Sequence, residues 1–372
     1  MYGMRQLCIY LSCKYSSGSV VKTWKTKSIT DPKRKSASES VKNASMEIQT
    51  AGEAHDQKII LTTSPHVHSN WSTKKVMWFV TAALTPAAAA SVIFFGFYQL
   101  LIIITAVFFC GSTEAVIQSL RKKKVTVADG SSLLTGLLLS LTLPPGFSLA
   151  YTALGSIAAI GFGKQVFGGL GCNIFNPALV GRAFLQAAFP VAITTWTKPN
   201  FAVDAVTSAT PLALFKFDKI LTPLSRLLLG NTGGSLGETS AAAIIAGGIF
   251  LIAVKIVNWR VPVSMILSML IFGGLFRLID PVQNPDPLFH LFAGGFMLGA
   301  FFMATDWVTS PVTNKGMLIY GSFISLLIIL IRVYGGLPEG VMYSILIMNG
   351  FVPLINRGTQ PRLFGLVKGG TE

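Results

Sequence analysis

Charge is what this chain has least of. Only 12% of its 372 residues are Asp, Glu, Lys or Arg, against roughly 25% in an ordinary soluble domain. Cysteine is scarce as well. The four present, Cys8, Cys13, Cys110 and Cys172, lack the spacing that holds zinc or an iron–sulfur cluster, and are read as small tail or buried residues. The N-terminal stretch has no apolar run long enough for a secretory signal. From Met1 to Ala44 it has instead nine basic residues against Asp31 and Glu39, so 9 − 2 = +7 of the net +15 lies there. That tail is Ser-rich and expected to be disordered. The positive excess is therefore no sign of a nucleic-acid partner.

What the chain does have is apolar residues: 51% of the total, with a mean hydropathy of +0.60. Long apolar stretches with few charges indicate membrane helices and a lipid surround. Ten candidate spans emerge: 76–95, 98–120, 132–143, 149–162, 177–194, 239–257, 261–275, 288–304, 317–333 and 339–355. Several fall short of the ~20 residues that cross hydrocarbon. The third to fifth are interrupted by Pro144-Pro145-Gly146, Gly161, Gly163 and Gly168-Gly169. Such breaks are tolerated where they line an enclosed cavity. The fold class expected is an all-α polytopic membrane domain over residues 61–365, preceded by a basic extension, 1–60.

Positive charge is retained on the inner side of a membrane. With the N-terminus inside, Lys74-Lys75, the run Arg121 to Lys124, Lys164, Lys255, Arg260, Lys315 and Arg357 all fall inside. Arg277 and Arg332 fall outside, as do the charges of the long loop 195–236. There is also an internal echo: Val166-Phe167-Gly168-Gly169-Leu170 recurs as Val333-Tyr334-Gly335-Gly336-Leu337, an offset of 333 − 166 = 167, and Pro144 + 167 is Pro311. Two five-span halves would be inverted relative to one another, since five is odd.

The loop 195–236 holds Asp204-Ala205-Val206-Thr207-Ser208-Ala209-Thr210-Pro211. Asp204, Thr207, Ser208 and Ala209 lead to Thr210 in the pattern used for covalent attachment of FMN. A flavin transferase must bring a hydroxyl onto the phosphoanhydride of FAD, which requires an exposed, extended acceptor with little bulk beside it. Ser208 and Ala209 supply small flanks, and Pro211 biases Thr210 toward extended backbone. The alternative is a plain Ser/Thr-rich polar loop. Lys216 and Lys219 are the nearest cations, there to balance a phosphate or simply solvated. Elsewhere, Gly169, Asn173 and Asn176 mark a backbone-rich break able to approach a ring closely, or a helix-packing turn. Asp306 ends an apolar span, where a carboxylate suggests an ion path. Glu114, Asp129 and Glu339 are weaker candidates, Asp129 as a helix N-cap. His66 and His68 suit a contact with another chain better than a metal site.

Separate motifs stand in a fixed order: Ser64-Pro65-His66, Asp129-Gly130-Ser131, Leu141-Thr142-Leu143-Pro144-Pro145, Lys164 to Gly171, Asn173 to Ala178, the Thr210 octamer, Met303-Ala304-Thr305-Asp306, Ser310 to Thr313, and Arg332 to Gly336 with Pro338-Glu339-Gly340. Together they resemble the NqrB/RnfD family, whose members are membrane components of Rnf electron-transport complexes and of the sodium-pumping NADH:quinone oxidoreductase. Gln165 favours the Rnf branch, and the quinone-reductase branch is the alternative. Ser208 replaces a usual Gly, and Trp307 a usual Pro. The resemblance implies covalent FMN on Thr210, facing away from the cytoplasm where the transferase works. It suggests a second, non-covalent riboflavin in related proteins. It further implies electron relay coupled to ion transport in the bacterial inner membrane, no turnover alone, and other Rnf-type subunits, a flavoprotein among them, as partners. Family members begin shortly before the Ser64 motif, which makes Met46 an alternative start. A rival of another class is a urea-type solute channel, which shares inverted repeats and broken helices but has no use for a flavin motif.

Overall fold

Unbroken apolar runs form long helices, and glycine or proline ends them. The computed structural model describes residues 71–196, 209–229, 233–238, 241–281 and 283–361. All lie in one of the two units into which the chain divides, the other being Tyr15–Asn70. Helix α1 (Thr73–Phe95) begins at Ser72, whose Oγ accepts from Lys75 N–H at 3.3 Å. Gly96 (φ +89°) turns the chain into α2 (Tyr98–Leu120). Next come α3 (Ser131–Leu141), α4 (Leu149–Ile160) with a wide π-turn at Gly161–Gln165, and α5 (Pro177–Ala188). The second half has α6 (Ala241–Ala253), α7 (Arg260–Ile279) and α8 (Pro287–Phe292). A short turn Phe296–Leu298 and a second π-turn, Gly299–Met303, lead to α9 (Asn314–Tyr334) and α10 (Val341–Gly358).

The described residues contain no strand. Four helices, α1, α2, α7 and α9, are long and apolar enough to cross a membrane, and α3 and α6 are shorter apolar helices. The protein is thus an all-α, multi-pass membrane protein. Two expected spans are not continuous. The run 177–194 breaks at Phe189 (φ −134°, ψ 60°) before resuming as Pro190–Thr194, because Pro190 disfavours helical backbone in the residue before it. The run 288–304 breaks at Ala293–Gly295, where Gly294 takes φ +72°.

Helices α1–α5 precede the 195–236 loop and form a first half of the described chain, and α6–α10 follow it as a second. In the first, α2 packs on α3 and α4, and α4 on α5; in the second, α7 packs on α9, and α9 on α10. Across the halves, α1 meets α6 and α5 meets α10. Close approach rests on small residues, as expected where lipid supplies no hydrophobic drive between helices. A Cβ at Gly181 would sit 2.8 Å from Gly155 O, and one at Gly321 3.0 Å from Val261 O. One continuous apolar core, including Leu84, Ile102, Leu139, Leu185, Met265 and Ile324, runs through both halves.

Candidate functional site

The π-turn at the end of α4 fits an extra residue into the helix and so changes which side chains face inward. Lys164 is turned into the protein, only 1% exposed. Its Nζ lies 2.7 and 2.8 Å from Glu114 Oε1 and Oε2 and 2.6 Å from Ser131 Oγ. Glu114, within α2, is fully buried. Its Oε1 also accepts from Gln118 Nε2 at 3.1 Å and Gln165 Nε2 at 3.3 Å. Ser131 Oγ in turn donates to Asp129 Oδ1 at 2.6 Å, and Ser131 N–H to the same oxygen at 2.9 Å. The helix cap itself is Gly130 (φ +83°) rather than Asp129. Two charges taken out of water persist only when paired and hydrogen-bonded throughout, and this pair is. Positive-charge counting assigns Lys164 to the inner side and says nothing of its burial, which the structure supplies. The readable signal was a lone Glu inside the apolar run of α2.

This ion pair stands beside a cavity between the halves. Its wall includes Lys164, Ser131, Asn173, Asn176, Asp306 and Trp307, and it is partly open to solvent. Asn176 caps α5, its Oδ1 accepting from Ala178 N–H at 3.0 Å, and its Nδ2 donates to Met303 O at 3.2 Å. The break before α5 is thereby bonded to the π-turn of the other half. Asn173 Nδ2 donates to Phe175 O at 3.2 Å. Gly169 (φ +114°) stands on the loop leading to Asn173, with open space where its Cβ would be. Asp306, half-buried, accepts from Thr309 Oγ1 at 3.1 Å through Oδ2. Trp307 Nε1 donates to Ile256 O at 2.8 Å, fixing the turn that follows Asp306. Sequence spacing gave no indication that Asn173, Asn176 and Asp306 share one wall; the structure brings them together.

Thr210 lies elsewhere. Its backbone is extended (φ −65°, ψ 156°), as Pro211 requires. Its side chain, however, is 2% exposed rather than solvent-facing. The cause is the residues that follow: Leu212 packs with Leu227, Phe289 and Ala293, and draws the segment down. Thr210 Oγ1 accepts from Ala213 N–H at 3.2 Å, while Ala209 stays exposed. Asp204, Thr207 and Ser208 lie outside the described residues, as do Met46, His66, His68 and the extension 1–60. Lys216 is neither solvated nor aimed at Thr210. Its Nζ donates to the carbonyls of Arg332 at 3.0 Å, Leu337 at 3.3 Å, and Gly335, capping the end of α9. Burial, with Lys219 nearby, holds its pKa below the ordinary lysine value. Arg332 bonds the carbonyls of His290 and Ala293, the latter at 2.9 Å, and so closes the break after α8.

The fold is that of a polytopic helical membrane protein with charged and amide groups buried beside an interior cavity. The model described as the NQR2, RnfD, RnfE family matches residues 60–365, and the chain belongs to that family. The D-type component of the proton-translocating ferredoxin:NAD(+) oxidoreductase complex of Clostridium ljungdahlii is 46% identical, covering 84% of this chain and 98% of that relative. Its Na(+)-translocating counterpart from Acetobacterium woodii is 43% identical over 84% and 98%. The D-type component of an ion-translocating oxidoreductase complex of Aliivibrio salmonicida is 37% identical over 83% and 99%.

Proposed function

We propose that this chain is a subunit of an Rnf-type, ion-translocating electron-transport complex, and that it relays electrons through FMN covalently attached to Thr210. The observation carrying this reading is the near full-length likeness to oxidoreductase complex subunits, together with a Thr210 held in the extended backbone that an attachment site needs. Attachment forms the Thr210 Oγ1–phosphorus bond as the phosphoanhydride of FAD breaks, with AMP leaving and the hydroxyl proton passing to water. Flavin accepts electrons singly or in pairs and so suits a relay. The Ala213 N–H that Thr210 now accepts from remains available to a phosphoester oxygen. Because Thr210 is buried, its segment must lift from Phe289 and Ala293 before a transferase can reach it.

In this reading the protein sits in the bacterial inner membrane with its N-terminus cytoplasmic and the Thr210 loop outside. It works with other subunits, a flavoprotein among them, as two inverted five-span halves. The cavity lined by Asn173 and Asn176, with Gly169 on its loop, is where a non-covalent riboflavin would bind, its ring approached by backbone and amide groups. Asp306, on the same wall, lies on the ion path.

The test is flavin fluorescence of this band in a denaturing gel after co-expression with a flavin transferase. Thr210→Ala should abolish it completely while the chain still inserts, the lost cap costing about 1 kcal/mol. Fluorescence retained in that variant would remove Thr210 as the acceptor.

A further inference from the structure

A second cleft opens between α5 and the start of α10. Arg182, Gln186, Trp196, Leu337, Glu339 and Tyr343 line it. Arg182 is only 6% exposed. One of its terminal nitrogens, Nη2, donates to Glu339 Oε2, yet its Nε is buried with no partner among the described residues. A guanidinium does not give up its proton in a protein. A fixed positive donor enclosed without an acceptor among the described residues suits an acceptor on a bound ligand. Trp196, largely buried, and Tyr343 add flat aromatic surfaces, and Gln186 adds an amide that both donates and accepts. This is the chemistry of a seat for a flat heteroaromatic ring with a carbonyl and N–H edge.

The chain ties this cleft to Thr210 from both sides. Trp196 stands 210 − 196 = 14 residues before the acceptor. Lys216, 216 − 210 = 6 residues after it, donates to Gly335 O and Leu337 O, and Leu337 itself lines the cleft. We propose that this cleft receives the isoalloxazine ring of the flavin carried on Thr210, with Arg182 Nε donating to the carbonyl edge of the ring and Trp196 against its face. The inference rests on the reading of Thr210 given above. A cation at that edge favours the reduced ring, in which negative charge gathers on that side.

The experiment uses the assembled complex, or the full chain co-expressed with the transferase, and starts with gel fluorescence of the wild type. No attached flavin there sinks the Thr210 reading and this seat with it. Given attached flavin, Arg182→Gln and Trp196→Phe are compared with wild type at equal flavin content. Arg182→Gln should lower the flavin midpoint potential by at least about 30 mV, a tenfold change in a two-electron equilibrium. Trp196→Phe should raise native-state flavin fluorescence, with the difference vanishing on denaturation, because an indole stacked on the ring quenches it. Should Arg182→Gln not fold, since it leaves Glu339 without its cation, the pair Arg182→Gln with Glu339→Gln removes both charges and is read in the same way. Wild-type potential and wild-type native fluorescence in these variants, at unchanged flavin content, would overturn the seat while leaving Thr210 as the acceptor.

Discussion

The helices before the 195–236 loop and those after it treat their interior carboxylates in opposite ways. In the first half, Glu114 is fully buried and held by Lys164, Gln118 and Gln165. In the second, Asp306 is half-buried on the cavity wall, bonded to Thr309, and no lysine, arginine or histidine pairs with it among the described residues. The difference teaches that a carboxylate in an apolar helical bundle takes its role from what surrounds it. A closed, neutral pair fixes two helices to each other. A carboxylate facing a cavity without a counter-charge can take up a cation and release it.

The sharpest way to break that contrast is Glu114→Gln. It strands the Lys164 ammonium in the interior, which should cost about 3–5 kcal/mol and appear as lost yield or a lowered unfolding temperature in detergent. Adding Lys164→Met should recover most of the loss, since an apolar replacement of the whole pair is often neutral. An unaffected single variant would mean that the pair is not formed as described. A smaller effect is expected from overfilling the helix contacts. Gly181→Val in the first half and Gly321→Val in the second should each cost about 1–3 kcal/mol, because both positions approach a neighbouring backbone carbonyl. Similar losses would confirm that the halves are built alike; a loss in one alone would separate them. The smallest effect on stability belongs to Asp306→Asn, within about 0.5 kcal/mol. There the change should appear in function: slower ion-coupled electron transfer with flavin content at Thr210 unaltered. Normal pumping and normal ion dependence in reconstituted complexes would leave Asp306 as a helix-end carboxylate.

Much of the architecture was legible in the residues. Apolar runs such as Tyr98–Leu120 and Arg260–Ile279 became helices because backbone polar groups in hydrocarbon must bond within their own segment. Glycines and prolines marked breaks correctly at Gly161–Gly171. The break at Pro190 was readable from the proline, but the expected span 177–194 runs through it. The break at Gly294 was harder to read, since a glycine inside an apolar run is equally at home in a packed membrane helix. The charges were the hardest. Lys164 has the look of an inner-side anchor, and only the π-turn at the end of α4 decides that it turns inward to Glu114, fifty positions earlier (164 − 114 = 50). Thr210 drew an extended backbone from Pro211 as local sterics require. Its burial came from Leu212 meeting Phe289 and Ala293, residues far along the chain.

By itself the sequence determined this protein's solvent, its helical class and its family, because hydrophobicity, backbone hydrogen bonding and motif order are properties of neighbouring residues. Only the tertiary structure decided which polar groups meet: Glu114 with Lys164, Asn176 with the carbonyl of Met303, Arg182 with Glu339, and Asn173 with Asp306 across one cavity. Such meetings depend on where helices end and how closely small residues let them approach, and each of those is settled by packing across the whole unit.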